Sequence, residues 1–169
     1  MTGTLHHEDG RHTLRFERRI AHPIERVWCA ITEPEGLAAW FPAAMHGERR
    51  AGAELTFAFP DEQYPTRGGR MLTFDPPHTL EFDWNGDLLR FELQPHGAGT
   101  SLVFTHTFAD VGKSARDASG WTWCLDALDA HLGGRAAPDL APEYFERLFA
   151  KYTQAFGPEA STKREPEED

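Results

Sequence analysis

The chain has 169 residues, 40% of them hydrophobic and 26% charged, and 17 Lys and Arg against 27 Asp and Glu leave a net charge of −10 with histidines neutral. That composition suits one folded domain, and its acidity is a poor match for nucleic acid or an anionic membrane surface. No apolar run approaches the roughly 18 residues needed to span a bilayer, and Cys29 and Cys124 make neither a disulfide framework nor a metal-type pair, so a reducing, cytoplasmic setting is expected.

Residues 1–11 are polar, lack the apolar core of a signal peptide and are expected to be flexible. From residue 12 to 20, Leu14, Phe16 and Ile20 share one parity, and Thr13, Arg15, Glu17 and Arg19 the other. That alternation is a half-buried strand, with Arg18 breaking the pattern at a strand end or a bulge. Pro23 stands where a helix begins, and Ile24, Val27, Trp28 and Ile31 follow at helical spacing. Pro34 interrupts this helix, and residues 35–40 form a second short one that Phe41-Pro42 ends.

Strands follow. Leu55, Phe57 and Phe59 alternate with polar neighbours, Leu72 and Phe74 share a face after Gly68-Gly69, and Leu80, Phe82 and Trp84 alternate with Glu81 and Asp83. Asn85-Gly86 signals a two-residue hairpin turn into Leu89, Phe91 and Leu93. After Gly97-Ala98-Gly99, residues Leu102, Phe104, His106 and Phe108 form the last alternating face. A helical stripe of Trp121, Cys124, Leu125, Leu128 and Leu132 stops at Gly133-Gly134, with a start that could lie as early as Ser114. A final helix is expected over 142–156. Residues 157–169 carry five acids, two bases and no large apolar side chain, which predicts a disordered acidic tail. The order implies an α+β fold: a curved antiparallel sheet whose apolar face is covered by the long helix.

Two segments carry a resemblance. His22-Pro23-Ile24-Glu25-Arg26-Val27-Trp28-Cys29-Ala30-Ile31-Thr32, followed by Trp40-Phe41, resembles the opening signature of START-like (SRPBCC) helix-grip proteins. More narrowly, it resembles the branch named after activators of the heat-shock protein 90 ATPase. Gly120-Trp121-Thr122-Trp123-Cys124-Leu125-Asp126 is similar to that branch's long-helix motif, and Thr105-His106-Thr107-Phe108 to its last strand. The likeness covers about residues 12–133 and makes the helix at 142–156 an addition. It implies a single helix-grip domain over 12–156, with an apolar cavity between sheet and long helix. Relatives of this fold bind lipids, sterols, hormones or polyketides, and some cyclise or dehydrate polyketides. The chaperone role belongs to a eukaryotic member of the branch.

Three functional readings stay open. The first is binding of a small, largely apolar ligand, with Trp40, Phe57, Phe59, Leu72, Phe74, Trp84, Phe91, Phe104, His106, Trp121 and Cys124 as candidate lining. His106 is the polar residue on the inward parity, able to orient a ligand or to sit as a hydrogen-bonded structural histidine. The second is a cyclase- or dehydratase-like enzyme with His106 as its acid or base. The third is a co-chaperone-like interaction module. Cys29 and Cys124 read as buried small apolar residues rather than nucleophiles, and Arg70 as an exposed arginine at a loop end. No histidine pair has the helical i, i+4 spacing of a metal site, and no cofactor motif is present, so neither metal nor cofactor is expected.

Overall fold

A computed structural model describes residues 2–62 and 64–165. Its strands are β1 (Thr4–Glu8), β2 (Arg11–Ile20), β3 (Ala44–His46), β4 (Glu54–Ala58), β5 (Arg67–Asp75), β6 (Thr79–Trp84), β7 (Asp87–His96) and β8 (Gly99–Phe108). Its helices are α1 (Ile24–Thr32), α2 (Pro34–Ala38), α3 (Ser114–Leu132) and α4 (Pro142–Phe156). The strands make one antiparallel sheet in the order β1-β2-β8-β7-β6-β5-β4-β3, with α3 lying in its concave face. This is the helix-grip architecture.

The inward parity builds the core. Phe57, Phe82, Phe91, Phe104 and Phe16 lie side by side across the sheet. Successive ring centroids are 5.6, 6.5, 4.6 and 6.0 Å apart, and every one of these rings is fully buried. Trp40 stands edge-on to Phe91 at 5.8 Å and donates its indole N–H to the Ala30 carbonyl at 2.9 Å. Such rings contribute both buried area and favourable edge and offset geometry. Gly36 lets α2 approach α1: a Cβ there would lie 2.6 Å from Ala30 Cα.

Asn85 and Gly86 have φ of 51° and 94°, the left-handed pair a tight type I′ hairpin needs. Arg18 marks neither a bulge nor a strand end. The β2–β8 register runs unbroken through Arg18↔Leu102, and the guanidinium reaches across to Asp126 of α3 at 3.7 Å.

Several expectations are corrected. Residues 4–8 of the N-terminal segment form β1, because the hairpin with β2 supplies their backbone partners. Gly3 N–H is further tied to Tyr152 Oη at 3.1 Å. The tail is ordered through its described part. Pro158–Ser161 form a 3₁₀ turn with Ala160 buried, and Lys163 N–H donates to the Gly112 carbonyl at 3.0 Å. Polar contacts hold this segment, which apolar content alone does not foresee; positions 166–169 of the tail lie outside the described residues. Cys29 is exposed, because it falls off the Ile24/Val27/Trp28/Ile31 stripe.

Candidate functional site

A cleft of about 810 Å³ opens where the β5–β7 end of the sheet parts from α3. Trp84 and Phe59 wall it on the sheet side, Trp121 and Cys124 on α3, and Phe145 and Pro142 from α4 above. Gly120 faces it too: a Cβ there would meet no atom within 4 Å. The sequence places the helical residue of least volume where the space is needed.

The floor is polar. His106 of β8 is 2% exposed and uses both ring nitrogens. The Trp121 indole N–H donates to Nδ1 at 3.0 Å. An indole only donates, so Nδ1 carries the lone pair and Nε2 carries the hydrogen, which it gives to Asp87 Oδ2 at 2.8 Å. Lys113 Nζ donates to the same oxygen at 2.5 Å and lies 3.7 Å from Asp117 Oδ2. Arg116 completes the cluster, donating to Asp117 Oδ1 at 2.9 Å. Burial on its own would raise the Asp87 carboxyl. The hydrogen bonds and charges of His106 and Lys113 outweigh that and hold it below the usual carboxylate range. Burial pushes the Cys124 thiol up to about 12, so it stays protonated and apolar at neutral pH.

The mouth is ionic. Lys163 pairs with Asp110 at 2.6 Å, Arg164 pairs with Glu146, and Arg116 Nη1 donates to the Glu165 carbonyl at 2.8 Å. Hydrogen bonding from Lys163 is the chief reason the Asp110 carboxyl lies below its ordinary range. Five basic and five acidic side chains line the cleft, so it is balanced in a chain whose net charge is −10.

Of the residues chosen from sequence, Phe59, Trp84, His106, Trp121 and Cys124 come together here. Trp40, Phe57, Phe91 and Phe104 do not; they pack against one another as solid core. Leu72 points outward and is 44% exposed, since an irregularity between Met71 and Thr73 reverses the parity. Met71 takes the inward place, fully buried. Phe74 packs against Trp28, with ring centroids 5.3 Å apart and planes tilted by 55°, beside a separate groove of about 510 Å³. Arg70 is exposed and donates to the Gly52 carbonyl at 3.3 Å.

Asp87 and Lys113 are floor residues that sequence reasoning missed. Asp87 had a signal: it shares the parity of Leu89, Phe91 and Leu93. Lys113 follows the last strand in a 3₁₀ turn and had none. Among the described residues, no group of three or more His, Cys, Asp or Glu side chains is arranged to hold a metal ion, and no helix is long and apolar enough to cross a membrane.

Residues 21–133 match the family model described as Activator of Hsp90 ATPase homolog 1-like protein. No curated protein sequence matches the chain. Solved structures do. A conserved protein of unknown function from Enterococcus faecalis, EF2215, superposes with a TM-score of 0.73 at 21% identity, over 90% of this chain and 91% of that one. CalU16 from Micromonospora echinospora gives 0.69 at 20% identity over 91% and 95%. The protein encoded by gene BPP1335 from Bordetella parapertussis gives 0.67 at 30% identity over 84% and 85%.

Proposed function

This chain belongs to the Activator of Hsp90 ATPase homolog 1-like family, and from that premise we propose that it binds a small, largely apolar ligand in the cleft between sheet and long helix. The cleft itself carries the reading: about 810 Å³, walled by Trp84, Trp121, Phe59 and Phe145. Transfer of apolar ligand surface into such a site is worth about 25 cal/mol per Å² before the costs of association. The Asp87–His106–Trp121 chain fixes the indole that forms one wall. The ligand of this reading is amphipathic, its apolar body between the aromatic rings and a polar group toward Lys113 and Arg116.

His106 is in this reading a positioning residue. Both its ring nitrogens are engaged by protein, so an acid–base role would first require Trp121 or Asp87 to let go. No observation of that kind favours the enzyme reading over binding.

The test uses the intrinsic tryptophan fluorescence, to which Trp84 and Trp121 in the cleft contribute among the five tryptophans, and a library of aromatic and aliphatic amphiphiles, with 8-anilinonaphthalene-1-sulfonate as the first probe. One-to-one binding to the native chain, lost in Gly120→Leu, is expected. The leucine side chain occupies the cleft while improving helix propensity, so the variant stays folded. Equal binding by Gly120→Leu, or no binder in the library, overturns the proposal.

A further inference from the structure

The geometry points to a second site, independent of the cleft: His7 and His12 form a surface seat for a divalent transition-metal ion of tetragonal preference, Cu(II) first. The β1–β2 hairpin turns at Asp9-Gly10, whose φ values are 49° and 73°. Glu8 and Arg11 pair next to the turn, and His7 and His12 are directly opposite each other beyond it. Residues opposite each other on neighbouring strands put their side chains on the same face.

The two imidazoles meet edge to face, with centroids 4.9 Å apart and planes at 80°. Their Nδ1 atoms are 2.6 Å apart. His12 is half-buried and its ring lies 6.0 Å from Phe108, whereas His7 is exposed. One donor is therefore anchored and the other is open to solvent.

At that distance one Nδ1 bears the shared hydrogen and the other accepts it. A metal ion replaces the hydrogen as the shared partner but sits off the N–N line, so each ring turns to aim its Nδ1 lone pair at the ion. The ring that donated then carries its hydrogen on Nε2, so two neutral rings bind the ion with no net proton release. Two nitrogens each about 2.0 Å from one ion lie about 2.8 Å apart at a right angle and about 3.3 Å apart at the tetrahedral angle. The observed spacing opens by a few tenths of an ångström to reach the first. That favours tetragonal Cu(II) or Ni(II) over Zn(II), and among these ions imidazole binds Cu(II) most tightly. Water completes the sphere on the exposed side. The net charge of −10 favours a cation overall.

The experiment titrates the full, untagged chain with CuCl2 and separately with ZnCl2, by calorimetry in a non-chelating buffer, with electron paramagnetic resonance on the copper form. The expected result is one Cu(II) per chain with micromolar affinity and a tetragonal signal split by two imidazole nitrogens. Zinc should bind at least about tenfold more weakly. His7→Gln and His12→Gln should each weaken copper binding by about tenfold or more with unchanged thermal unfolding, because His7 is exposed and His12 is only half-buried. Copper binding that persists in the double variant assigns the ion to another histidine and overturns the site. So does the absence of binding, and zinc binding as tight as copper overturns the tetragonal geometry.

Discussion

Asp87 is where one side chain governs several others. Its Oδ2 receives both the His106 ring N–H and the Lys113 ammonium, and through His106 it holds the Trp121 indole. Its carboxyl lies below the ordinary range, so the folded state keeps it ionised at pH values where the unfolded chain takes up a proton. The sign follows. The contribution is complete above the unfolded value of about 3.9 and is lost as pH falls through the lower folded one. Asp87→Asn keeps an acceptor for His106 but removes the charge facing Lys113. It should cost about 1–3 kcal/mol at neutral pH and flatten the fall in stability below about pH 4. Urea unfolding from pH 7 down to pH 3 measures both, and a variant that loses stability on acidification as steeply as the native chain contradicts the assignment. The inward parity of His106 is written in the strand pattern, and so is that of Asp87. What parity does not encode is that a charged residue next to a hairpin turn can face inward when a lysine from the following turn comes to meet it.

At the level of elements, β2, β4, β6, β7, β8 and the helices are legible because each carries a clear period, whereas β1 and the three-residue β3 carry none and are not foreseen. The long helix reads as a stripe of Trp121, Cys124, Leu125, Leu128 and Leu132, and all five are buried. The cleft is less legible, because alternation states which face a side chain takes and not where along the groove it sits. Phe91 and Phe104 face inward as expected, yet they fill the middle of the trough with solid packing, and the space lies toward the Trp84 end. Leu72 failed for another reason: a single irregularity in β5 inverts every parity argument on one side of it. Gly120 belongs to this scale. A glycine inside a helix costs about 0.5–1 kcal/mol relative to alanine, and no packing neighbour here would object to a methyl group. Gly120→Ala should therefore raise stability by about that amount, read from the urea midpoint, while trimming the cleft. A loss of stability instead would mean that the helix backbone is distorted at this point.

Across the whole molecule, the sheet, α1, α2 and α3 lie largely within the family-matched segment, and the roof of the cleft does not. Phe145 and Glu146 of α4 and the stretch from Lys163 to Glu165 follow residue 133, where the match ends. The family model thus accounts for most of the trough, and the cover lies in the segment that follows it. The two parts of that cover are held differently. α4 is fixed by burial: Tyr152 is 1% exposed and its hydroxyl lies 2.6 Å from Thr122 Oγ1 of α3. The terminal stretch buries only Ala160 and is otherwise held by the Lys163–Gly112 backbone bond, the Arg116 bond to the Glu165 carbonyl and two ion pairs open to solvent, Lys163–Asp110 and Arg164–Glu146. Exposed pairs contribute about 0–1 kcal/mol each, and 1 M salt shortens the screening length to about 3 Å. The end of the chain should therefore release from the mouth of the cleft at high salt while the sheet stays closed. Hydrogen–deuterium exchange followed by mass spectrometry separates the two. Raising NaCl from 0.1 to about 1 M should speed exchange in residues 158–165 and leave β7 and β8 unchanged, because salt screens surface charge and does not weaken buried aromatic packing. Unchanged protection of 158–165 at high salt would mean that Ala160 and the Lys163–Gly112 backbone bond, rather than the charges, hold the cover in place.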